Sequence, residues 1–291
     1  MTIDIEKIKE GKTLKELMEF GIINVDKPSG PTSFDVSDTV RKILGLRKTS
    51  HFGTLDPQVT GVLPIALNRA CKLTGFFLGE DKEYVGIMRI HGETSVEELK
   101  KIIKEKFTGK IKQRPPVRSR VARVLREREI KIFEILEKEG NDFLFRAEVQ
   151  GGTYIRKLID DLGKELNIGA HMLELRRVRA GIFKEDSKKY PSVTLYEIEK
   201  AAKEKDEKKL REMIIPGEIV SEIYPAVKIN EDEVEKILHG QPIYRENLIE
   251  KNKTDIGKNV TVFSDNRFMG VFKVVSEGRI FAKPEFVLQP L

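Results

Sequence analysis

One segment of the sequence combines a carboxylate with turn-forming residues that could hold it in place. Residues 51–61 read His-Phe-Gly-Thr-Leu-Asp-Pro-Gln-Val-Thr-Gly, and the apolar run Val-Leu-Pro-Ile-Ala-Leu follows. Gly53 permits a positive-φ backbone, and Pro57 fixes the backbone directly after Asp56. We expect a stiff loop that presents Asp56 outward, with a buried strand behind it. Such a carboxylate could act as a nucleophile or as a base, whereas an ordinary Asp-Pro turn is the structural alternative.

A second segment supplies a guanidinium that could pair with this carboxylate. The string Gly151-Gly152-Thr153-Tyr154 predicts the start of a helix with Arg156 in its first turn. An arginine beside a partly buried aspartate favours the ionised carboxylate and fixes its orientation. Taken alone, an arginine at this place is an ordinary surface residue of a helix.

Positive charge is concentrated in one run. Residues 114–128 hold six arginines, and Pro115-Pro116 prevents a helix at the start of the run. A solvated basic face is the default interpretation. Arginine rather than lysine suits the forked binding of phosphate and stacking on bases, so the run is also a candidate for contacts with nucleic acid.

Composition limits the remaining classes of function. The 291 residues carry a net charge of +6, and Cys71 is the single cysteine, so an intrachain disulfide is excluded and a cysteine-built metal site is not expected. The sequence shows no signal-peptide pattern and no apolar stretch of about 20 residues, which predicts a cytoplasmic protein with no membrane partner. Metal-ligand spacings, phosphate loops and dinucleotide fingerprints are also absent, so neither a metal nor another cofactor is expected.

The order of predicted elements indicates an α+β (mixed α/β) fold. Strands and helices alternate irregularly up to Pro216-Gly217, which predicts a catalytic domain on a mixed β-sheet. Short strands then dominate, with a hairpin predicted across Asp265-Asn266. We therefore expect an N-terminal arm over residues 1–20, a catalytic domain over 21–218 and a small β-rich domain over 219–291.

Several of these segments together resemble the TruB superfamily of pseudouridine synthases. The resemblance rests on residues 51–61, on Lys-Pro-Ser-Gly at 27–30 and on Gly-Thr-Tyr-Ile-Arg at 152–156, and it extends over roughly residues 20–216. It implies an RNA isomerase that cuts uracil from C1′ of the ribose and rejoins it through C5, with Asp56 as the catalytic residue. Whether Asp56 attacks the ribose, attacks the base or abstracts a proton from the sugar stays open. Phe52 stands where relatives carry a small or polar residue, so the packing of the loop is also open.

The same resemblance assigns roles around the substrate. It implies that Tyr84 stacks on the target base, that Tyr154 and Leu175 line the pocket, and that His51 helps the RNA to fold into place. Each has a structural alternative, as a strand aromatic, a core residue or a lone buried histidine. The resemblance further implies RNA binding by seven arginines, which are Arg114, Arg118, Arg120, Arg123, Arg176, Arg177 and Arg179.

Two stretches, 114–119 and 169–177, look closest to the archaeal dyskerin-type enzymes. This likeness implies a catalytic subunit of an H/ACA ribonucleoprotein, with a guide RNA, an rRNA or tRNA substrate, small accessory proteins and a PUA-like C-terminal domain. The stretches 239–243 and 268–271 resemble instead the tail of bacterial stand-alone enzymes. Two alternatives therefore remain: an enzyme that modifies the T-loop uridine of tRNA unaided, and an RNA-binding scaffold without activity.

Overall fold

The structure, a computed structural model, describes residues 3–115, 122–250 and 253–290. Its contacts group the chain into two units. The larger comprises Ile23–Ala66 and Thr74–Met213, and the smaller comprises Met1–Ile22, Leu67–Leu73 and Ile214–Leu291. The domain boundaries expected from the sequence, at 20/21 and 218/219, stay predictions.

The helices are short. The α-helices, in chain order, are α1 (Ile5–Glu10), α2 (Leu14–Glu19), α3 (Ser33–Ile43), α4 (Thr74–Leu78), α5 (Val96–Lys106), α6 (Ile155–Glu165), α7 (Leu195–Lys203), α8 (Glu207–Met213) and α9 (Val234–Leu238). Short 3₁₀ helices span Asn68–Leu73, Gly217–Glu222, Glu231–Glu233 and Arg245–Asn247. No helix within the described ranges is both long enough and apolar enough to cross a membrane.

The strands are, in chain order, β1 (Gly21–Lys27), β2 (Thr49–His51), β3 (Thr60–Leu67), β4 (Lys82–Ile90), β5 (Gly109–Gln113), β6 (Arg126–Glu139), β7 (Asp142–Val149), β8 (Ala170–Ala180), β9 (Phe183–Lys184), β10 (Ile214–Pro216), β11 (Ala226–Lys228), β12 (Ile243–Tyr244), β13 (Asn259–Ser264), β14 (Arg267–Glu277) and β15 (Ile280–Val287).

The large sheet is mixed, as the sequence predicted. Through the larger unit it runs β1-β3-β8-β4-β7-β6-β5, with β2 beside β3 and β9 beside β8. β3 and β8 are parallel, whereas β4 is antiparallel to both of its neighbours, β7 and β8. The predicted catalytic loop leads into β3, which lies between β1 and β8. The loop that bears Asp56 is therefore anchored to an internal strand of the sheet.

Helix α6 lies on this sheet because its apolar residues share one face. Ile155, Leu158, Ile159 and Leu162 are buried, at the spacing of an amphipathic helix, and α6 packs on β8. A Cβ atom at Gly163 would lie 2.0 Å from the backbone nitrogen of Ala170, so only glycine allows this close approach. The packing leaves Arg156, one residue into the helix, on the exposed side.

The smaller unit contains the predicted β-rich module. Its sheet has the order β11-β13-β14-β15-β12. The predicted hairpin is confirmed, since β13 and β14 pair up to Ser264 and Arg267 on either side of Asp265-Asn266. Its core is formed by buried apolar side chains that include Val227, Ile229, Ile237, Val260, Val262, Met269, Phe272 and Phe281.

Candidate active site

Asp56 and Arg156 meet at the surface of the larger unit. A guanidinium nitrogen of Arg156 lies 3.1 Å from Oδ2 of Asp56, which confirms the predicted pairing in space. The side chain of Arg156 is 61% exposed and that of Asp56 is 53% exposed, so the loop presents the carboxylate outward, as expected from the sequence. Within the described residues Oδ1 of Asp56 makes no hydrogen bond or ion pair, which leaves one carboxylate oxygen open to a reacting atom.

Lys27 fixes the loop just after Asp56. Its ammonium is fully buried and donates hydrogen bonds of 2.8 Å to the carbonyl oxygens of Pro28, Pro57 and Val59. Burial lowers the pKa of Lys27, and the nearby carboxylate of Asp56 raises it. The strand β1 and the catalytic loop are therefore joined by one cation that satisfies three carbonyls.

Ser33 fixes the loop just before Asp56. Its hydroxyl donates to the carbonyl oxygen of Leu55 at 3.0 Å and accepts from the Leu55 amide at 2.8 Å. The backbone amide of Gly30 donates to the carbonyl of Pro57 at 2.9 Å. Both residues next to Asp56 are thus held by hydrogen bonds, so the backbone at Asp56 has little freedom to move.

Arg177 holds the loop from within the sheet. Its side chain is fully buried, and it donates to the carbonyls of Val62 at 2.8 Å and Gly53 at 3.2 Å. Burial lowers the pKa of Arg177, and the neighbouring Tyr84 raises it. Gly53 has a φ of +103°, and a Cβ atom there would lie 3.4 Å from the Arg177 guanidinium. The loop therefore needs glycine at this turn.

Phe52 answers the question that the sequence left open about the packing of the loop. Its ring is 1% exposed and is stacked on Phe77, with ring centroids 4.5 Å apart and an interplanar angle of 4°. Phe183 completes the cluster at 6.1 Å from Phe52. The large side chain is accommodated by two other aromatic rings, and it anchors the beginning of the loop.

Lys82 adds a third buried cation near the loop, after Lys27 and Arg177. It is 4% exposed and donates to the backbone carbonyls of Leu78 and Glu80. Its Cε would lie 3.8 Å from a Cβ atom at Gly53. Burial, together with the Arg177 charge, lowers the pKa of Lys82 to about 8, although Glu80 and Asp81 oppose the shift.

The predicted pocket residues fall on one face of β4 and β8. Tyr84 pairs with Arg177 and Gly86 pairs with Leu175 in the antiparallel register. Tyr84 and Leu175 are each 8% exposed, so the structure leaves little of either surface open. Stacking of Tyr84 on the target base and contact of Leu175 with it stay predictions.

Tyr154 and His51 lie at the margins of the site. The side chain of Gln113 holds the Tyr154 backbone. Its Nε2 donates to the backbone carbonyl of Tyr154 at 3.1 Å, and its Oε1 accepts from the backbone amide of Tyr154 at 2.8 Å. His51 is half-buried, and burial followed by the Arg177 charge lowers its pKa. Its buried Nδ1 has no hydrogen-bond partner among the described residues. Roles for both in binding RNA stay predictions.

The three predicted RNA-binding arginines of β8 do not form one track. Neighbouring residues of a strand point to opposite faces, so Arg177 is buried while Arg176 points away from it. We correct Arg177 from an RNA contact to a buried anchor of the loop. Arg176 pairs with Asp26 at 3.0 Å and Glu185 at 2.7 Å, and Arg179 pairs with Glu83 at 3.2 Å and Glu148 at 3.0 Å. RNA contact by Arg176 and Arg179 stays a prediction.

The arginine-rich run at residues 114–128, predicted to contact RNA, flanks a small cavity. Arg114 and Arg123 are exposed, whereas Arg118 and Arg120 lie outside the described residues. A cavity of about 100 Å³ opens at the base of the run, lined by Gln113, Pro115, Arg126, Arg128, Gly152 and Tyr154. Tyr154 immediately precedes α6, so the cavity adjoins the helix that carries Arg156.

Sequence reasoning missed the burial of Lys27 and Lys82. Both were visible in the sequence, in Lys-Pro-Ser-Gly at 27–30 and in Lys82-Glu83-Tyr84, but lysine is rarely buried and neither string marks its lysine as an exception. The signal that could have found them is the position of Lys27 at the end of the buried strand β1 and of Lys82 at the first buried position of the alternating strand β4.

Comparison with protein families divides the chain into three matches. Residues 41–155 match "TruB family pseudouridylate synthase (N terminal domain)" and residues 156–221 match "tRNA pseudouridylate synthase B C-terminal domain". Residues 225–284 match "Pseudouridine synthase II TruB, C-terminal".

The chain is also similar to curated proteins over most of its length. The chain is 44% identical over 248 residues to a "Probable tRNA pseudouridine synthase B" of Methanopyrus kandleri, covering 84% of this chain and 72% of that protein. It is 43% identical to the protein of the same name from Methanocaldococcus jannaschii, with coverages of 86% and 74%.

Among solved structures, a chain of "Crystal Structure of a Cbf5-Nop10-Gar1 Complex" matches with a TM-score of 0.88 and 38% identity. A chain of "Structure of H/ACA RNP bound to a substrate RNA containing 2'-deoxyuridine" matches with a TM-score of 0.86 and 36% identity. Each match covers 97% of this chain and 89% of the other.

Proposed function

The chain belongs to the TruB family of pseudouridine synthases, and we propose that it isomerises uridine in RNA as the catalytic subunit of a guide-directed H/ACA ribonucleoprotein. Asp56 performs the chemistry, and Arg156 orients its carboxylate. The observation that carries the assignment of the site is the 3.1 Å pair between these two residues, on a loop that is fixed on both sides of Asp56.

The reaction requires the glycosidic bond to break and a C–C bond to form while water is kept out. Arg156 holds Oδ2 of Asp56, which leaves Oδ1 for the reacting atom of the substrate. Because both side chains are more than half exposed, the protein alone does not exclude water. We infer that the bound RNA itself covers Asp56 and completes the closed site.

The likeness over almost the whole chain supports action within an H/ACA particle. Two solved chains with this fold come from complexes named for Cbf5, Nop10 and Gar1 and for an H/ACA RNP with substrate RNA. The proposed partners are therefore a guide RNA, an rRNA or tRNA substrate and small accessory proteins, with residues 219–291 as a PUA-like RNA-binding domain. We infer that this protein, acting on such RNA in an archaeal cell, works in the cytoplasm.

A stand-alone tRNA enzyme is the second candidate. It is favoured by the names of the curated relatives and by the match of residues 225–284 to a TruB C-terminal family. An inactive scaffold is disfavoured, because Asp56, Arg156 and the bonds that fix their loop are all in place.

The deciding experiment measures pseudouridine formation by the purified chain on a tRNA transcript and on a guide-matched RNA. Each is assayed with and without guide RNA and accessory proteins. We expect turnover to need the assembled particle; equal turnover by the bare chain would establish the stand-alone enzyme. Asp56→Asn should abolish product in every format with RNA affinity nearly unchanged, and unaltered turnover in this variant would refute the assignment of Asp56.

A further inference from the structure

Phe34 is a large apolar side chain that the fold leaves in solvent. It lies in the first turn of α3 and is 71% exposed. The buried residues of this helix, Ser33, Val36, Ser37 and Val40, lie on other sides of it. The packing of α3 therefore does not depend on the Phe34 ring, and a single exposed apolar residue is by itself unremarkable on a protein surface.

The position of Phe34 is what distinguishes it. The preceding residue, Ser33, is joined by two hydrogen bonds to Leu55, and Leu55 directly precedes Asp56. Phe34 and Asp56 therefore each directly follow one member of the hydrogen-bonded pair Ser33 and Leu55. Because consecutive Cα atoms are only ~3.8 Å apart, both residues lie close to this pair. The ring is thus attached to the same rigid element that presents the catalytic carboxylate.

The backbone around Phe34 is also held in place. Thr32 caps α3 by accepting from the Asp35 amide at 3.1 Å, and the Asp35 carboxylate accepts from the Thr32 amide at 2.9 Å. This reciprocal capping box fixes the first turn of the helix on both sides of the ring. An aromatic ring on a fixed backbone loses little conformational freedom when a ligand stacks on it.

We propose that Phe34 is a stacking platform for an unpaired base of the RNA next to the target uridine. This inference rests on the proposed function, since it takes the RNA to be bound over Asp56. Single-stranded nucleotides are bound by stacking on aromatic side chains, and every base offers a face for this contact. A base that neighbours an everted uridine has lost its own stacking partner, and Phe34 replaces it.

The test measures binding of a guide-matched substrate RNA to the full chain assembled with its guide RNA and accessory proteins. Phe34→Ala should weaken binding by about 5- to 150-fold, the range for loss of one base–aromatic stack. Phe34→Tyr should stay within about threefold of the wild type, whereas Phe34→Leu, which keeps apolar bulk without a ring, should resemble Phe34→Ala. All variants should melt at the wild-type temperature, because exposed substitutions change stability little.

A matched control is available in Tyr196, which is also 71% exposed and lies in the first turn of α7. Tyr196→Ala should leave binding unchanged. Two further RNAs carry 2-aminopurine directly before or directly after the target uridine. The wild type should quench the fluorescence of one of them, and Phe34→Ala should not.

Three outcomes would overturn the proposal: an affinity of Phe34→Ala within threefold of the wild type, equal binding by the Leu and Tyr variants, or an equal loss in Tyr196→Ala. Failure of the proposed function gives a different pattern. In that case the wild type forms no pseudouridine even in the assembled particle, while the comparison of Phe34 variants in binding still gives an answer.

Discussion

Arg156 holds Oδ2 of Asp56 at 3.1 Å although both side chains are more than half exposed. An exposed ion pair contributes only about 0–1 kcal/mol to the free energy of unfolding. The pair therefore adds little to the stability of the fold, and under the proposed function its role is to orient the carboxylate of Asp56. Loss of the pair should therefore change turnover much more than it changes the free energy of unfolding.

The first prediction concerns this pair. Arg156→Ala should lower the turnover number by about 100-fold, because misplacing a reacting group by ~1 Å costs about that factor. Arg156→Lys should recover part of the loss, since a lysine keeps the charge but not the forked geometry. Single-turnover assays at saturating RNA measure the effect, and thermal melting should be unchanged. Arg89→Ala, which removes another exposed pair, with Asp142, serves as the control.

The second prediction concerns Lys27. Lys27→Met removes the donor shared by the carbonyls of Pro28, Pro57 and Val59. Buried carbonyls without a donor each cost about 1–3 kcal/mol, so the free energy of unfolding should fall by at least about 2 kcal/mol. Denaturant titration measures this loss. Turnover per folded molecule should fall as well, and a variant with wild-type stability and turnover would contradict the anchoring role.

The third prediction concerns the pH dependence of stability through Lys82. Its pKa in the folded protein is about 8, below its ordinary value of 10.5, so the unfolded chain binds more protons between these two values. The free energy of unfolding should therefore gain a rising contribution from about pH 8 towards pH 10.5 and none below pH 8. The full gain is on the order of 3 kcal/mol.

Lys82→Arg tests this contribution, because arginine stays charged throughout this range and keeps donors for the carbonyls of Leu78 and Glu80. Denaturant titrations at pH 7, 8, 9 and 10 should show a smaller rise in the variant than in the wild type. Parallel pH profiles for the two proteins would show that Lys82 does not titrate in this window. Arg177, Arg179, Glu80 and Asp81 are the charges that act on it.

The fourth prediction separates RNA-binding arginines from the buried one. Neutralising Arg118 and Arg120 should weaken RNA binding and flatten its salt dependence by about one unit per lost phosphate contact. Arg177→Met should instead lower stability and leave the salt slope of the folded protein unchanged, because its guanidinium is buried and donates to the backbone carbonyls of Val62 and Gly53. A reduced slope in the Arg177 variant would reinstate it as an RNA contact.

The sequence could predict the elements that local rules govern. The buried strand behind the Asp56 loop, the helix that carries Arg156 and the hairpin across Asp265-Asn266 all follow from periodicity and turn chemistry, and the structure confirms each. The pairing of Asp56 with Arg156 was also predicted, but only from the resemblance of two separate motifs to one family.

The arginine cluster at 176–179 shows where this reasoning failed. A run of like charges looks like one basic surface when it is read along the chain. In β8 the alternation of side chains buries Arg177 and directs Arg176 to the carboxylates of Asp26 on β1 and of Glu185 just after β9. Which face of a strand is covered depends on its neighbours in the sheet, and the linear sequence does not contain that information.

The sequence by itself determined which groups are available for chemistry, because a carboxylate in a turn-rich loop, an arginine at a helix start and an arginine-rich run are properties of residue type and spacing. The reaction was predicted from the resemblance to one family. Only the tertiary structure decided how that chemistry is supported. Lys27, Lys82 and Arg177 lose water on folding and must bond whatever backbone carbonyls the packed strands bring to them. Lys82 bonds carbonyls only two and four residues before it. The carbonyls of Pro57 and Val59 that hold Lys27, and those of Val62 and Gly53 that hold Arg177, come from distant parts of the chain, so these partners exist only once the sheet has formed.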